Sequence, residues 1–73
     1  MEQLEPVHRE RDLSVYNEMG VFSIYNRKKT YYRKGKKYYS FVETFNTLPE
    51  AIQAIEEHYP EYVQREVIYD QSA

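Results

Sequence analysis

The chain has no cysteine and no tryptophan, and only two glycines and three prolines among its 73 residues. Without cysteine there is no disulfide framework, no thiolate metal site and no cysteine nucleophile. No uncharged apolar run approaches the ~18 residues that a membrane-spanning helix needs. The opening MEQLEPVHRERDLSVY has no apolar stretch of signal-peptide length. These absences set the expectation of a soluble, cytoplasmic protein in a reducing compartment, with no membrane partner. Gly20 and Gly35 are the only glycines, too few for a phosphate-cradling glycine loop.

Histidine is scarce as well. His8 and His58 stand far apart in sequence and form no His-x-x-x-His pair, so a metal site lacks its ligand set. Asp12, Asp70 and several serines and glutamates are present, but no spacing ties a nucleophile to a base. The reading therefore assigns no catalytic residue, no metal ligand and no cofactor, and expects a non-enzymatic protein.

Tyrosine and charge are what the chain has in excess. Nine tyrosines occur, and the net charge of −2 conceals a segregation along the sequence. Residues 1–26 carry five acids and two bases, residues 27–37 carry seven bases and no acid, and residues 38–73 carry seven acids and one base. A local patch of this kind says more about partners than the mean acidity does. The length allows one domain, and a core this small rarely supplies more than about 3 to 5 kcal/mol without staples or a partner subunit. A homodimer is compatible with that limit.

Residues 1–12 are polar, contain Pro6 and show no periodicity, which predicts a flexible arm. Leu13, Val15, Tyr16, Val21, Phe22, Ile24 and Tyr25 are β-formers interrupted by Asn17-Glu-Met-Gly20. They predict a strand that bends at Gly20 and ends at Asn26. Asn26-Arg-Lys-Lys29 reads as a turn, residues 30–33 as a short strand, Lys34-Gly35 as a reversal and residues 37–45 as the longest strand. Alternation places Tyr39, Phe41 and Phe45 on one face and Tyr38, Ser40, Val42 and Thr44 on the other. A two-residue loop sets Tyr31 opposite Tyr38, whereas a three-residue loop sets it opposite Tyr39.

Thr47-Leu-Pro-Glu50 is a capping box with proline in the first helical turn. Leu48, Ala51, Ile52, Ile55 and Tyr59 follow as an apolar stripe at helical spacing, and Pro60 is expected to end the helix. The tail, residues 61–69, reads as a further strand or a second helical turn. The predicted class is α+β: a small antiparallel sheet of three strands, or four if the tail joins it, with one amphipathic helix on one face. The domain then spans residues 13–69, and residues 70–73 form a tail.

The stretch KTYYRKGKKYYSF, residues 29–41, is nearly palindromic about Gly35. Folding it back gathers Arg33, Lys34, Lys36 and Lys37, with Lys28 and Lys29 at the neighbouring turn. Like charges across a hairpin repel, so an offsetting polyanion is expected: nucleic acid, DNA before RNA. Lys28, Lys29, Arg33, Lys34, Lys36 and Lys37 would meet phosphates, and Tyr31, Tyr32, Tyr38 or Tyr39 would stack on bases or donate hydroxyls. The plainer reading makes the same lysines edge-strand gatekeepers that oppose aggregation. A third makes the chain a protein-interaction module or a phage or mobile-element inhibitor. It would bind a partner protein through the basic hairpin, or through an acidic helix face of Glu50, Glu56, Glu57 and Glu61.

Gly20-Val-Phe-Ser-Ile-Tyr25, a basic reversal, Lys36-Lys-Tyr-Tyr39 and then Phe45-Asn-Thr-Leu-Pro-Glu-Ala51 resemble the AP2-like modules at the N-termini of tyrosine-recombinase integrases. The resemblance spans residues 20–59. It implies a three-stranded sheet whose strands read DNA, backed by a helix that a similar Phe-x-Thr-x-x-Glu-Ala phrase introduces.

Overall fold

Three two-residue turns organise the sheet. The computed structural model describes residues 5–66, which form β1 (His8–Glu10), β2 (Leu13–Glu18), β3 (Val21–Arg33), β4 (Lys36–Phe45) and α1 (Leu48–Gln64). The strands pair in sequence order as an antiparallel meander, and α1 packs on one face, an α+β fold. Arg11, Met19 and Lys34, the first residue of each turn, have φ of 55°, 58° and 52°. Gly20 and Gly35 follow at 92° and 79°, a left-handed region that glycine enters without a Cβ penalty. Two consecutive residues with positive φ match the right-handed twist of the flanking strands. That match fixes the second and third hairpins at two residues each.

Alternation sorts the sheet into two faces. Leu13, Val15, Ile24 and Val42 join Ala51, Ala54, Ile55 and Tyr62 of α1 in one buried cluster, with Phe22, Phe45, Leu48, Tyr59 and Val63 packed against it. Thr47 starts the helix as expected: its hydroxyl accepts the Glu50 amide at 3.3 Å and bonds the Glu50 carboxylate at 3.1 Å. Of the predicted stripe, Ala51 and Ile55 are buried and Leu48 and Tyr59 pack against the cluster, while Ile52 is only half-buried and Ala54 is buried in addition.

Four further expectations differ from the structure. Residues 8–10 of the predicted arm are β1, held by the Val7 amide on the Val15 carbonyl at 2.8 Å. The β1–β2 turn also docks on α1: the Arg11 guanidinium lies 3.8 Å from the Tyr59 ring centre, and the Asp12 amide donates to the Tyr59 hydroxyl at 3.2 Å. The fourth strand thus comes from the N-terminal side. Residues 27–29 do not end a strand; they bulge out of the pairing between Asn26↔Ser40 and Thr30↔Tyr39. The Asn26 side chain accepts the Lys28 amide there, an Asx-type turn inside β3.

Val42 is a second extra residue, since Ile24 pairs with Glu43 and Tyr25 with Phe41. This bulge places Phe45 with Val42 against the helix and leaves Phe41 on the opposite face. Pro60, finally, does not end the helix. His58 is non-helical (φ −123°, ψ 22°), so the axis kinks there and Pro60 falls in the first turn of the continuation, where its missing amide hydrogen is harmless. Tyr62 returns to the core, and the Asn26 side-chain Nδ2 donates to the Val63 carbonyl at 3.3 Å. Residues 61–64 are therefore helical, and the expected strand over residues 67–69 lies outside the described residues.

Candidate nucleic-acid interface

β2 pairs with β3 only as far as Asn26. Beyond it, β3 has β4 as its one neighbouring strand among the described residues, and residues 30–39 extend as a two-stranded ribbon. Its register is Thr30↔Tyr39, Tyr31↔Tyr38, Tyr32↔Lys37 and Arg33↔Lys36. Only one like-charged pair is therefore directly opposed, and tyrosines separate the other cations. The Tyr31 and Tyr38 rings stack at 5.6 Å and 25°, an attraction of about 0.5–1.5 kcal/mol beyond burial that opposes the repulsion.

The predicted residues divide between the ribbon's faces. Tyr31, Arg33, Lys36 and Tyr38 share the face that continues from the helix side, Lys37 lies on the other with Tyr32 and Tyr39, and Lys34 occupies the tip. Lys34, Lys36 and Lys37 are exposed and have no ion-pair partner among the described residues. Lys28 is exposed on the bulge. Lys29 is tied down, its ammonium donating to the Arg65 carbonyl at 2.9 Å. It anchors the end of α1 to β3.

The acidic residues lie on the helix layer. Glu50, Glu57 and Gln53 line a shallow hollow with Phe45, Ala54, His58 and Tyr62. Glu57 accepts from Gln53 at 3.0 Å, and Glu61 sits 3.5 Å from the His58 ring. Glu56 and Glu61 are exposed and do not line that hollow. Among the described residues no group of three acids or histidines is placed to hold a metal ion, and no helix is long and apolar enough to cross a membrane.

Sequence reasoning missed the sheet face turned away from α1. Tyr16, Tyr25 and Phe41 form a row across β2, β3 and β4, with ring centres 5.6 and 5.8 Å apart in edge-to-face geometry. Tyr39 and Lys37 follow Phe41 at every second position of β4. Arg9, opposite Ser14, and Arg27, whose Nε donates to Ser14 Oγ at 2.7 Å and whose Nη2 donates to the Arg11 carbonyl, bring cations to the same face. Burial, and then the neighbouring Tyr39, raise the pKa of the Tyr16 hydroxyl, while Arg9 and Arg27 pull it back. Alternation signalled part of this row, but assembling it required the pairing of β1 and the Val42 bulge. Comparison with known protein families, curated proteins and solved structures finds no match for this chain.

Proposed function

We propose that this protein is a small, non-enzymatic nucleic-acid-binding accessory protein whose basic, tyrosine-rich β3–β4 ribbon contacts phosphates. The observation that carries the reading is charge placement. Seven bases and no acid lie within residues 27–37, and four of them crowd the end of a ribbon that extends past the rest of the sheet. A two-stranded ribbon of this kind is narrow enough to enter a DNA major groove, or to follow a single strand's backbone. The acids of α1 sit on the helix side of the sheet, away from Lys37 on the opposite face of the ribbon. The resemblance of residues 20–59 to integrase DNA-binding modules points the same way.

Fluorescence anisotropy against labelled single- and double-stranded DNA and RNA tests this. With about four phosphates neutralised, the slope of log affinity against log salt is near −3.6, roughly a hundredfold loss between 50 and 200 mM. Reversing Lys36 and Lys37 to glutamate abolishes the binding and leaves the thermal melt unchanged. Binding insensitive to salt and to this double variant rules the function out. The hollow beside Glu50 and Glu57 favours a second reading, a partner protein with basic side chains. Loss of capture on neutralising Glu57, with no effect from the lysine reversals, would select it.

A further inference from the structure

We infer that the open face of the sheet is a stacking platform for unpaired bases, so that the preferred ligand of the ribbon is a single-stranded rather than a duplex nucleic acid. The inference rests on the nucleic-acid reading and specifies its substrate. Among the described residues a helix covers one face of the sheet, and the other is neither a polar solvated surface nor an apolar one. It carries Tyr16, Tyr25, Phe41 and Tyr39 in a continuous band, and Tyr32 continues the band onto the ribbon, 71 % exposed. Tyr39 is 38 % exposed, and its hydroxyl, like that of Tyr16, has no hydrogen-bond partner among the described residues.

Cations flank this band on both sides. Arg9 and Arg27 lie at the β1–β2 end and Lys37 at the ribbon end, so a backbone crossing the face meets positive charge at entry and exit. Arg27 is held in place by Ser14 and by the Arg11 carbonyl. The acid on this face among the described residues is Glu18, whose carboxylate accepts the Tyr25 hydroxyl at 2.9 and 3.1 Å. It orients Tyr25 within the row. Stacking on aromatic faces requires bases freed from pairing, and it tolerates sequence because every base offers a π face. A duplex presents phosphates to the ribbon but no base faces to the band.

The test measures affinity for a short labelled oligothymidylate, the matching oligouridylate and a duplex. The wild-type protein binds the single strands more tightly than the duplex. Tyr39→Ala weakens single-strand binding roughly tenfold, with duplex affinity and salt slope unchanged, and Tyr39→Phe restores it because the ring is what acts. Phe41→Leu, which keeps apolar volume in the row, gives a similar loss. Tyr39→Trp introduces the chain's sole tryptophan, whose fluorescence is quenched by oligothymidylate. Oligothymidylate and oligouridylate affinities separate a DNA from an RNA preference.

The inference is overturned if Tyr39→Ala and Phe41→Leu bind single strands as the wild type does while the Lys36 and Lys37 reversal still abolishes binding; the nucleic-acid function then stands on the ribbon alone. Displacement of the oligonucleotide by polyglutamate at equal charge concentration also overturns it, marking the face as a plain polyanion surface. No binding to any probe at low salt removes both the function and the platform.

Discussion

One strand, β3, has two unlike halves. Residues 22–26 are paired on both edges and lie beneath α1, and there Ile24 and Asn26 are buried. Residues 30–33 are paired on one edge only among the described residues, and Tyr32 there is 71 % exposed. Between them, residues 27–29 leave the ladder, and their side chains fasten the two halves to the β1–β2 turn and to the end of α1. The first half holds the domain together by burial. The second is built on that foundation and contributes little to it, so substitutions in the two halves should separate stability from binding.

The largest effect is expected in the covered half. Ile55 is fully buried in the cluster under residues 22–26, and an unpaired carboxylate there loses its hydration with no compensating partner. Against the few kcal/mol available to a core of this size, Ile55→Asp should unfold the domain. Ile52→Asp, at a half-buried position outside the cluster, should leave a cooperative melt. Circular-dichroism melts of the two variants decide this. Equal destabilisation would mean that Ile52 is buried with the rest of the stripe, as the spacing predicts.

That pair also shows what was legible in the sequence. The capping box at Thr47, the reversal at Lys34-Gly35 and the strand-rich first half could be read because each depends on neighbours along the chain, whereas the length of that loop stayed open between two and three residues. The burial of Ala54 in place of Ile52 could not, because it depends on which side chains of a distant sheet meet the helix. Pro60 misled for the same reason: burial of Tyr62 and the bond from Asn26 to the Val63 carbonyl supply from far away the reason to continue a helix that local rules would stop. For the candidate site, the bases of the ribbon were visible as a charge run. The aromatic band was not, since Arg9 sits in a segment without strand periodicity and Val42 reverses the alternation that would have linked Phe41 to Tyr25.

A smaller effect, confined to alkaline pH, compares tyrosines on the two faces of the sheet. Burial, with the Glu43 carboxylate adding to it, raises the pKa of the Tyr62 hydroxyl, and burial likewise raises that of Tyr16. An unfolded tyrosine releases its proton near pH 10, while the folded groups hold theirs to higher pH. Their contribution to stability is therefore complete below about pH 10 and is lost as pH rises through the folded values. Tyr62→Phe should flatten the fall of the melting temperature above pH 10. Tyr16→Phe should flatten it as well, since burial raises that hydroxyl in the same direction. A steeper fall in either variant would contradict the assignment.

The smallest effects lie at the turns, and they divide the two halves most cleanly. Met19 and Lys34 both begin a two-residue turn in the left-handed region, yet Met19, fully exposed, closes the covered half and Lys34 closes the ribbon. Asparagine tolerates that conformation better than either residue does. Each substitution to asparagine should then stabilise by up to about 1 kcal/mol, the scale of compatible turn replacements. Met19→Asn should raise the melting temperature and leave oligonucleotide binding untouched. Lys34→Asn should raise it similarly while removing one phosphate contact, which makes the salt slope shallower by about 0.9. A Lys34→Asn protein that melts higher and binds with an unaltered slope would show that the tip charge stands clear of the nucleic acid, and that the interface begins lower on the ribbon, at Lys36 and Lys37.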